Sequence, residues 1–245
     1  MKKFFRTTFS ILIAFIITIT ATPQFALADE SPQKLTIDDH VFVENIVSEG
    51  TENNKGVVKY TCEKCGEYYT LYYYADKNNA SIVSHAGYVR SDTSDIVIIP
   101  SYIDNKHVIS ISDDAFQYED NIKKIIIQFG IQSIGNWAFG NCYNLQYVSF
   151  PNTLKKIGGD AFRFCSSIKE IILPEGLTTI SSHAFSDCTS LNKLSIPTSV
   201  TDISYWAFFN CENLSDVYIP SEVKYIGSQA FGYYHNKIYN EDMTY

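Results

Sequence analysis

The chain has 245 residues, which allows one or two domains with a sizeable core, and its formal net charge is −8. Aromatic residues are frequent at 15% of the sequence, with 18 Tyr and 16 Phe. A nucleic acid or an anionic membrane surface would call for a basic face, so the acidic balance argues against both as partners.

Residues 1–28 have the composition of a secretory signal peptide. Three basic residues mark its start: Lys2, Lys3 and Arg6. The apolar run centred on residues 11–19 is thinned by threonines and followed by Pro23, whereas a membrane anchor would need about 18 or more apolar residues. Ala26-Leu27-Ala28 then supplies a small-x-small cleavage pattern. We predict export with cleavage, a secreted or cell-surface location, and a mature chain that does not insert into the membrane.

Residues 29–94 are predicted to form a small aromatic-rich β module. Two strand-like runs, residues 56–61 and 68–74, flank the sequence Cys62-Glu63-Lys64-Cys65-Gly66. A Cys-x-x-Cys-Gly turn of this kind directs two thiolates at one metal ion in a zinc knuckle. Adding the two nearest histidines completes a Cys₂His₂ set for a structural zinc ion: His40, Cys62, Cys65 and His85.

Two alternatives to zinc remain open at these cysteines. One is structural: an oxidising exterior permits a local Cys62–Cys65 disulfide, or the two cysteines stay free thiols. A redox-active Cys-x-x-Cys is the other option, although no βαβ pattern surrounds the motif.

The stretch also resembles small repeat modules of exported bacterial proteins, whose pattern runs His, Cys, Cys-x-x-Cys-Gly, His. The matching residues are His40, Cys62, Cys65, Gly66 and His85. The first cysteine of that pattern, expected near Gly50, is absent from this sequence.

The segment from residue 95 to the first regular repeat is predicted to be an irregular coil. Residues 96–99 before Pro100 resemble the strand of a repeat, and Asp104-Asn105-Lys106 is a turn signal. Pro100 and Ile111 are eleven residues apart, whereas the equivalent residues of a regular repeat are six apart. Atypical end coils of this kind shield the core of a solenoid from water.

The dipeptide Ala-Phe recurs at a fixed step of 23 residues, with its alanine at 115, 138, 161, 184, 207 and 230. A fixed period of this length is the signature of a solenoid built from stacked coils. We predict six such units, which together with the leading coil occupy residues 95–232 and are followed by a tail at 233–245.

One unit, ending at Pro151, shows how each coil is expected to fold. Val148 and Phe150 are two residues apart, which predicts a strand with alternating faces. Spacings of three and four between Ala138 and Leu145 favour a short helical or 3₁₀ turn. Pro151 then ends the strand because proline has no amide donor.

The full unit reads Ile-Gly-x-x-Ala-Phe-x-x-Cys-x-x-Leu-x-x-Val-x-Phe-Pro and resembles the BspA-type branch of the leucine-rich-repeat superfamily. The units ending at Pro151, Pro174, Pro197 and Pro220 carry the match, over about residues 109–232. The resemblance implies a mainly β solenoid: a right-handed stack of 23-residue coils with a parallel β ladder on one face and irregular turns on the other. It also implies bacterial or protozoan surface or secreted proteins that often bind proteins of a host or a neighbouring cell, and it implies no catalysis.

A cysteine follows the repeated alanine by four positions in four units: Cys142, Cys165, Cys188 and Cys211. Equivalent Cβ atoms of consecutive coils lie about 4.8 Å apart, whereas a disulfide prefers Cβ atoms about 3.8 Å apart. We therefore expect buried free thiols that act as small hydrophobic side chains.

Strand residues that alternate outward form two rows along the stack. One row is Lys124, Tyr147, Glu170, Lys193 and Asp216; the other is Ile126, Ser149, Ile172, Ser195 and Tyr218. The residues predicted to bind a partner are Lys124, Tyr147, Glu170, Lys193, Asp216 and Tyr218, because a mixed surface suits protein recognition. A plain solvated sheet face is the alternative, since exposed strands carry such residues without a partner. The turn edge is a second candidate site, since Trp137 and Trp206, just before the repeated alanine, are aromatic residues of the kind that anchor a partner. Packing of the turn edge is the alternative, and it is the interpretation that we favour for both tryptophans.

The predicted function is non-enzymatic binding of an extracellular or surface protein, of the adhesion type. No Ser/His/Asp spacing, glycine-rich phosphate loop or paired-carboxylate motif points to catalysis. Two alternatives remain: a zinc-binding role for the N-terminal module, and a structural role in the cell envelope.

Overall fold

The structure is a computed structural model that describes residues 34–37, 40–86, 96–232 and 237–240, with the side chains of residues 40–83 and 96–232. The predicted signal peptide, residues 1–28, lies outside the described residues. All regular secondary structure in the described part of the chain is β-strand.

Five strands at the N-terminal end form an antiparallel meander: β1 Lys34–Ile37, β2 His40–Ser48, β3 Gly56–Cys62, β4 Tyr68–Ala75 and β5 Asn79–Ala86. The two strands predicted around the Cys-x-x-Cys-Gly turn are confirmed as β3 and β4. Alternate residues of β3 are buried, because one face of the strand packs on a core while the other faces outward.

Three tyrosines form the centre of this core, and each buried hydroxyl has a hydrogen-bond partner. Tyr60 donates to Glu44 Oε2 at 3.0 Å, and the Tyr73 hydroxyl accepts from the amide of Gly50 at 3.1 Å. Tyr69 donates to the carbonyl oxygen of Ile98 at 3.0 Å. Burying such rings is favourable because the apolar body leaves water while the hydroxyl keeps a partner.

The next three strands form the leading coil: β6 Ile96–Ile99, β7 Tyr102–Ile103 and β8 Lys106–Ile111. β7 and β8 pair as a tight hairpin in which Asp104 and Asn105 have φ of 50° and 57°. Residues of this type tolerate the left-handed region that such a turn requires. The strand predicted at 96–99 and the turn predicted at Asp104-Asn105-Lys106 are both confirmed.

The N-terminal meander and the repeats share one sheet. β5 pairs in parallel with β8, and Tyr69 reaches across to Ile98 on β6. Glu44 on β2 makes a further connection, because its Oε1 accepts a hydrogen bond from the amide of Asp104 at 3.2 Å. Burial raises the pKa of Glu44, and its hydrogen bonds from Asp104 and Tyr60 offset this only in part.

Eleven further strands complete the fold: β9 Lys124–Ile127, β10 Ser133–Ile134, β11 Tyr147–Ser149, β12 Lys156–Ile157, β13 Glu170–Ile172, β14 Thr179–Ile180, β15 Lys193–Ser195, β16 Asp202–Ile203, β17 Asp216–Ile219, β18 Tyr225–Ile226 and β19 Lys237–Asn240. One parallel ladder is divided into three short sheets and consists of β6, β9, β11, β13, β15, β17 and β19. The even-numbered strands form a second parallel ladder that continues from β8. Paired residues in the regular part of both ladders are 23 positions apart, as in Tyr147 with Lys124 and Ile134 with Ile157.

The second ladder differs from what the family resemblance implies, which is a single ladder with irregular turns opposite. Each rung is only two residues long, and its isoleucine is buried in the earlier units, as at Ile134 and Ile157. Because the coils are in register, the backbone amide and carbonyl groups at this corner meet their equivalents in the next coil and bond to them.

The segment between the repeated alanine and leucine contains successive turns, and no described residue is helical. Trp137 and Asn141 have φ of 55° and 62°, which interrupts a helix, and equivalent residues repeat this in later units. The amides bond instead to the next coil, for example Phe139 N to Ala161 O at 2.8 Å. Other amides of the segment bond to carbonyls three residues earlier, Cys142 N to Phe139 O at 3.4 Å and Leu145 N to Cys142 O at 3.1 Å. The prediction of a helical or 3₁₀ turn is therefore wrong for an α-helix, whereas these bonds agree with single turns of the 3₁₀ type. Nor does the described part of the chain contain a helix long and apolar enough to cross a membrane.

A stack of phenylalanine rings runs through the centre of the repeats. Its members are Phe116, Phe139, Phe162, Phe185, Phe208 and Phe231. Neighbouring ring centroids are 5.0–5.4 Å apart and the rings are tilted by at most 18°. One ring from each unit thus packs on the ring of the unit before it, which buries both faces of the interior rings.

The repeated cysteines lie beside this stack as free, buried thiols, which confirms the sequence prediction. Each Sγ donates a hydrogen bond to a phenylalanine carbonyl of the preceding unit, as from Cys165 to Phe139 at 3.1 Å and from Cys188 to Phe162 at 3.3 Å. Burial raises the pKa of Cys142 and Cys211 to about 12. The ladder thiols therefore stay protonated and act as packing groups with one weak hydrogen bond each.

One strand lies in the segment predicted to be a tail. β19 pairs in parallel with β17 and places Lys237 beside Asp216, a step of 21 residues. The first ladder therefore extends beyond residue 232. The sequence analysis did not predict this strand, because the segment departs from the 23-residue step and from the Leu-x-x-Val-x-Phe motif.

We expect Phe162→Ala to lower the free energy of unfolding by about 3–5 kcal/mol, because it removes a fully buried ring from the middle of the stack. Urea denaturation followed by circular dichroism measures the change. Phe129→Ala is the matched control, since this ring is 71% exposed and its loss is expected to cost no more than about 0.5 kcal/mol. Equal effects of the two substitutions would contradict a stabilising role for the stack.

Glu44→Gln is expected to alter the pH dependence of stability. The raised pKa of Glu44 means that folding disfavours its charged form, so its penalty is present at neutral pH and disappears as the pH falls through the folded pKa. The free energy of unfolding of the wild type should therefore rise relative to that of Glu44→Gln as the pH is lowered from 7 toward the ordinary glutamate range of about 4–5. Glu175→Gln, on an exposed loop, is the control. A constant difference between wild type and Glu44→Gln over this range would show that the carboxylate is not penalised.

Candidate functional site

The first ladder presents an exposed surface, here named the outer strand face. Its residues are the two rows Lys124, Tyr147, Glu170, Lys193, Asp216 and Ile126, Ser149, Ile172, Ser195, Tyr218. The residues between them point inward, and Val148, Ile171 and Val217 are buried. Strand alternation therefore places both rows on the side away from the core, as the sequence predicts.

All six residues predicted to bind a partner lie on this face. The strand register sets Tyr147 beside Lys124 and Lys193 beside Glu170. The Lys124 ammonium lies 5.6 Å from the centroid of the Tyr147 ring, within the range of a cation–π contact. Opposite charges and an aromatic ring thus alternate along one line of the surface.

Large apolar side chains are exposed on the same face. Tyr147 is 45% exposed, Ile172 63% and Tyr218 51%. Ile172 is absent from the predicted binding residues, although its place in the outward row of the sequence was a signal for it. Exposed aromatic side chains are enriched at protein–protein interfaces, where polar and charged residues form the rim around them.

A second candidate site lies at one end of the N-terminal meander. Phe42 on β2 pairs with Cys62 on β3, so His40, two residues before Phe42, lies beside the β3–β4 turn that carries Cys65. His40 Nδ1 is 3.5 Å from Cys62 Sγ and 3.4 Å from Cys65 Sγ. The three potential ligand atoms all lie within 4.8 Å of one another.

His85, the fourth member of the predicted metal set, has a different position in the sheet. It pairs with Leu71 on β4, which pairs with Val58 on β3. Val58 precedes Cys62 by four residues, so the His85 backbone is displaced from Cys62 by about 13 Å along the strands and about 10 Å across them. The His85 side chain is outside the described residues. The structure therefore brings together three of the four predicted ligands.

The two thiols of this cluster differ in acidity. Burial acts to raise the pKa of Cys62, but the backbone amides of Cys65 and Lys64 and the side chains of Cys65 and His40 lower it to about 6. Burial, together with its proximity to Cys62, raises the pKa of Cys65. Both are free thiols, and Cys65 is exposed while Cys62 is buried.

The repeats match a known family. A family model described as the BspA type leucine rich repeat region matches residues 109–238 in six copies. The chain belongs to this family. Comparison with curated proteins finds no match to this BspA-type chain.

Three solved structures are similar to the BspA-type chain. The leucine-rich-repeat protein of T. pallidum (TpLRR) is 25% identical, with a TM-score of 0.55, over 62% of this chain and 75% of that one. A leucine-rich cell surface protein of Faecalibacterium prausnitzii A2-165 is 23% identical, with a TM-score of 0.51, over 89% and 57%. The pneumococcal vaccine antigen PcpA is 23% identical, with a TM-score of 0.56, over 81% and 50%. The chain thus spans between half and three quarters of the length of these proteins.

The turn edge of the BspA-type repeats is held by contacts within the chain. The guanidinium of Arg163 bonds to Asp160 at 3.0 Å and to Asp187 at 3.4 Å, and it lies 5.6 Å from the Trp137 ring centroid. Trp206 donates its indole N–H to Gln229 at 2.7 Å. Both tryptophans therefore have partners within the chain, while Trp206 is 39% exposed. The bridging position of Arg163 was not evident from the sequence.

Native-state thiol labelling of the BspA-type protein should distinguish its two sets of cysteines. Cys65 is exposed and should react with iodoacetamide before the four ladder cysteines, which are buried and have raised pKa values. Mass spectrometry of a labelling time course measures the order, and labelling in denaturant, where all six thiols become accessible, is the control. Ladder thiols that react as fast as Cys65 would show that the repeats open readily.

Proposed function

We propose that this protein is exported and binds an extracellular or surface protein through the outer strand face, without catalysing a reaction. The observation that carries the proposal is the exposure of Tyr147, Ile172 and Tyr218 among charges of both signs on one regular surface. Family membership supports a protein-binding role of the adhesion type.

The face is long enough to contact a folded protein partner. Rungs of a ladder are about 4.8 Å apart, so the four steps from Lys124 to Asp216 span about 19 Å. A standard protein–protein interface buries about 800 Å² on each partner, so a partner on this face would also contact residues beside the strands. Two tyrosines on the face supply the side-chain type that most often dominates the binding energy at such interfaces.

The charges of the face favour a protein over a polyanion. Lys124 and Lys193 alternate along the row with Glu170 and Asp216, and the whole chain carries a formal charge of −8. A nucleic acid or an anionic lipid surface would be repelled by the acidic positions of the face. A protein partner can place opposite charges against each position and so fix its register.

An extracellular setting is part of the proposal. The signal-peptide pattern of residues 1–28 supports export. Two proteins of similar fold are described as a cell surface protein and a vaccine antigen, which fits a surface or secreted location. We also propose that the repeats are 23-residue units of a right-handed coil, which the 23-residue pairing register and the family resemblance support.

Simultaneous replacement of Tyr147, Glu170 and Tyr218 by alanine should abolish partner binding and leave stability unchanged, because all three side chains are exposed. The mature chain is immobilised and exposed to fractions of cell-surface and matrix proteins. Captured proteins are identified by mass spectrometry, and their affinity is then measured by surface plasmon resonance for both chains.

A matched control removes two exposed tyrosines and one exposed glutamate elsewhere: Tyr143, Glu175 and Tyr225. This control variant should bind like the wild type. Unchanged binding by the outer-face variant would place the site elsewhere. Capture of no protein at all would favour a structural role in the envelope.

A further inference from the structure

We propose that His40, Cys62 and Cys65 form a binding site for one zinc ion. The inference is separate from the proposed function, since it concerns the N-terminal meander and uses no residue of the outer strand face. It rests on the geometry of the three ligand atoms and on the backbone that holds them.

The spacing of the three atoms matches a tetrahedral zinc centre. With Zn–S bonds of about 2.3 Å and a Zn–N bond of about 2.0 Å, sulfur and nitrogen ligands lie about 3.5 Å apart. His40 Nδ1 lies 3.5 Å from Cys62 Sγ and 3.4 Å from Cys65 Sγ. The two sulfurs lie within 4.8 Å of each other, where a tetrahedral centre places them about 3.8 Å apart. A zinc ion can therefore bond to all three atoms after a small movement of the side chains.

Hydrogen bonding alone explains this arrangement less well. An imidazole nitrogen carries either one N–H or one lone pair, so Nδ1 of His40 makes one good hydrogen bond at a time. Both sulfurs nevertheless lie at similar distances from this single nitrogen. A shared cation accounts for the convergence because it accepts a lone pair from each of the three atoms.

The backbone holds the ligands in place. The amide of Cys62 donates to Glu67 O at 2.7 Å, and the amide of Gly66 donates to Cys62 O at 3.0 Å, which closes the turn. Gly66 has φ of 76°, where a side chain would be strained. The amide of Glu63 also donates to Val41 O at 2.8 Å and so joins the turn to β2, next to His40.

Three protein ligands leave one position of a tetrahedron for an outside ligand. No carboxylate of the described residues joins the cluster within the same distance limits, and the His85 backbone lies two strands away from β3. Cys65 is exposed, so the fourth position is accessible to water. Bound zinc would tie the start of β2 to the β3–β4 turn and stabilise this end of the meander.

The test uses the full mature chain, reduced and stripped of metal, with ZnCl₂ as the probe. Competition with a chromophoric chelator should report about one zinc ion per chain for the wild type and under about a tenth of an equivalent for Cys65→Ser and His40→Ala. His107→Ala removes an exposed histidine elsewhere and should bind zinc like the wild type. Because Cys65 is exposed, its substitution should leave the fold intact, which circular dichroism checks.

Cobalt(II) gives an independent readout of the ligands. The wild type should show the visible bands of tetrahedral cobalt and a thiolate-to-cobalt charge-transfer band, and Cys65→Ser should lose them. Zinc should also raise the melting temperature of the wild type and leave that of Cys65→Ser unchanged.

Three results would overturn the proposal. One is the absence of zinc binding by a chain whose six thiols are shown to be reduced. Another is equal zinc binding by the wild type, Cys65→Ser and His40→Ala. The third is a Cys62–Cys65 disulfide that forms in the isolated protein and resists reduction under native conditions, since it would consume both sulfur ligands.

Discussion

The stacking of each repeat on the next is the interaction on which the rest of this structure depends. Phe162 packs between Phe139 and Phe185, with ring centroids 5.0 Å and 5.3 Å away. The amide of Phe139 meanwhile donates to Ala161 in the next coil. A single coil could satisfy neither the ring faces nor the backbone amides, because the partners of both lie one unit away. Stability is therefore shared along the stack, as is general for repeat proteins.

This constraint divides the residues of each unit into two groups. Those that face the stack are confined to apolar or small side chains, and the cysteines fit because their thiols bond to carbonyls of the preceding unit. Those that face outward, such as Tyr147 and Ile172, are free to vary without loss of packing. The outer strand face is therefore where a partner can be specified. The N-terminal meander covers the first coil of the stack, because β5 pairs with β8 and the Tyr69 hydroxyl donates a hydrogen bond to the carbonyl oxygen of Ile98.

Much of the repeat region could be predicted because its contacts are periodic. Equivalent residues pair at the same 23-residue step, so the burial of Val148 and the exposure of Tyr147 predict which equivalent positions of the other units face the core and which face outward. The failures have local causes. Two-residue strands such as Ser133–Ile134 carry no detectable period, and left-handed residues such as Trp137 turn a helical spacing into successive turns. The strand at Lys237–Asn240 was missed because it departs from the repeat.

The sequence by itself determined the repeating unit, the outward rows and the burial of the ladder thiols, because each follows from spacing along one chain. Only the tertiary structure decided which residues of the N-terminal meander come together. Antiparallel pairing of Phe42 with Cys62 brings His40 to the two cysteines, while pairing with Leu71 places the backbone of His85 two strands from β3. Such register depends on hydrogen bonds between strands and on the turns that join them, and the identity and spacing of candidate ligand residues do not specify it.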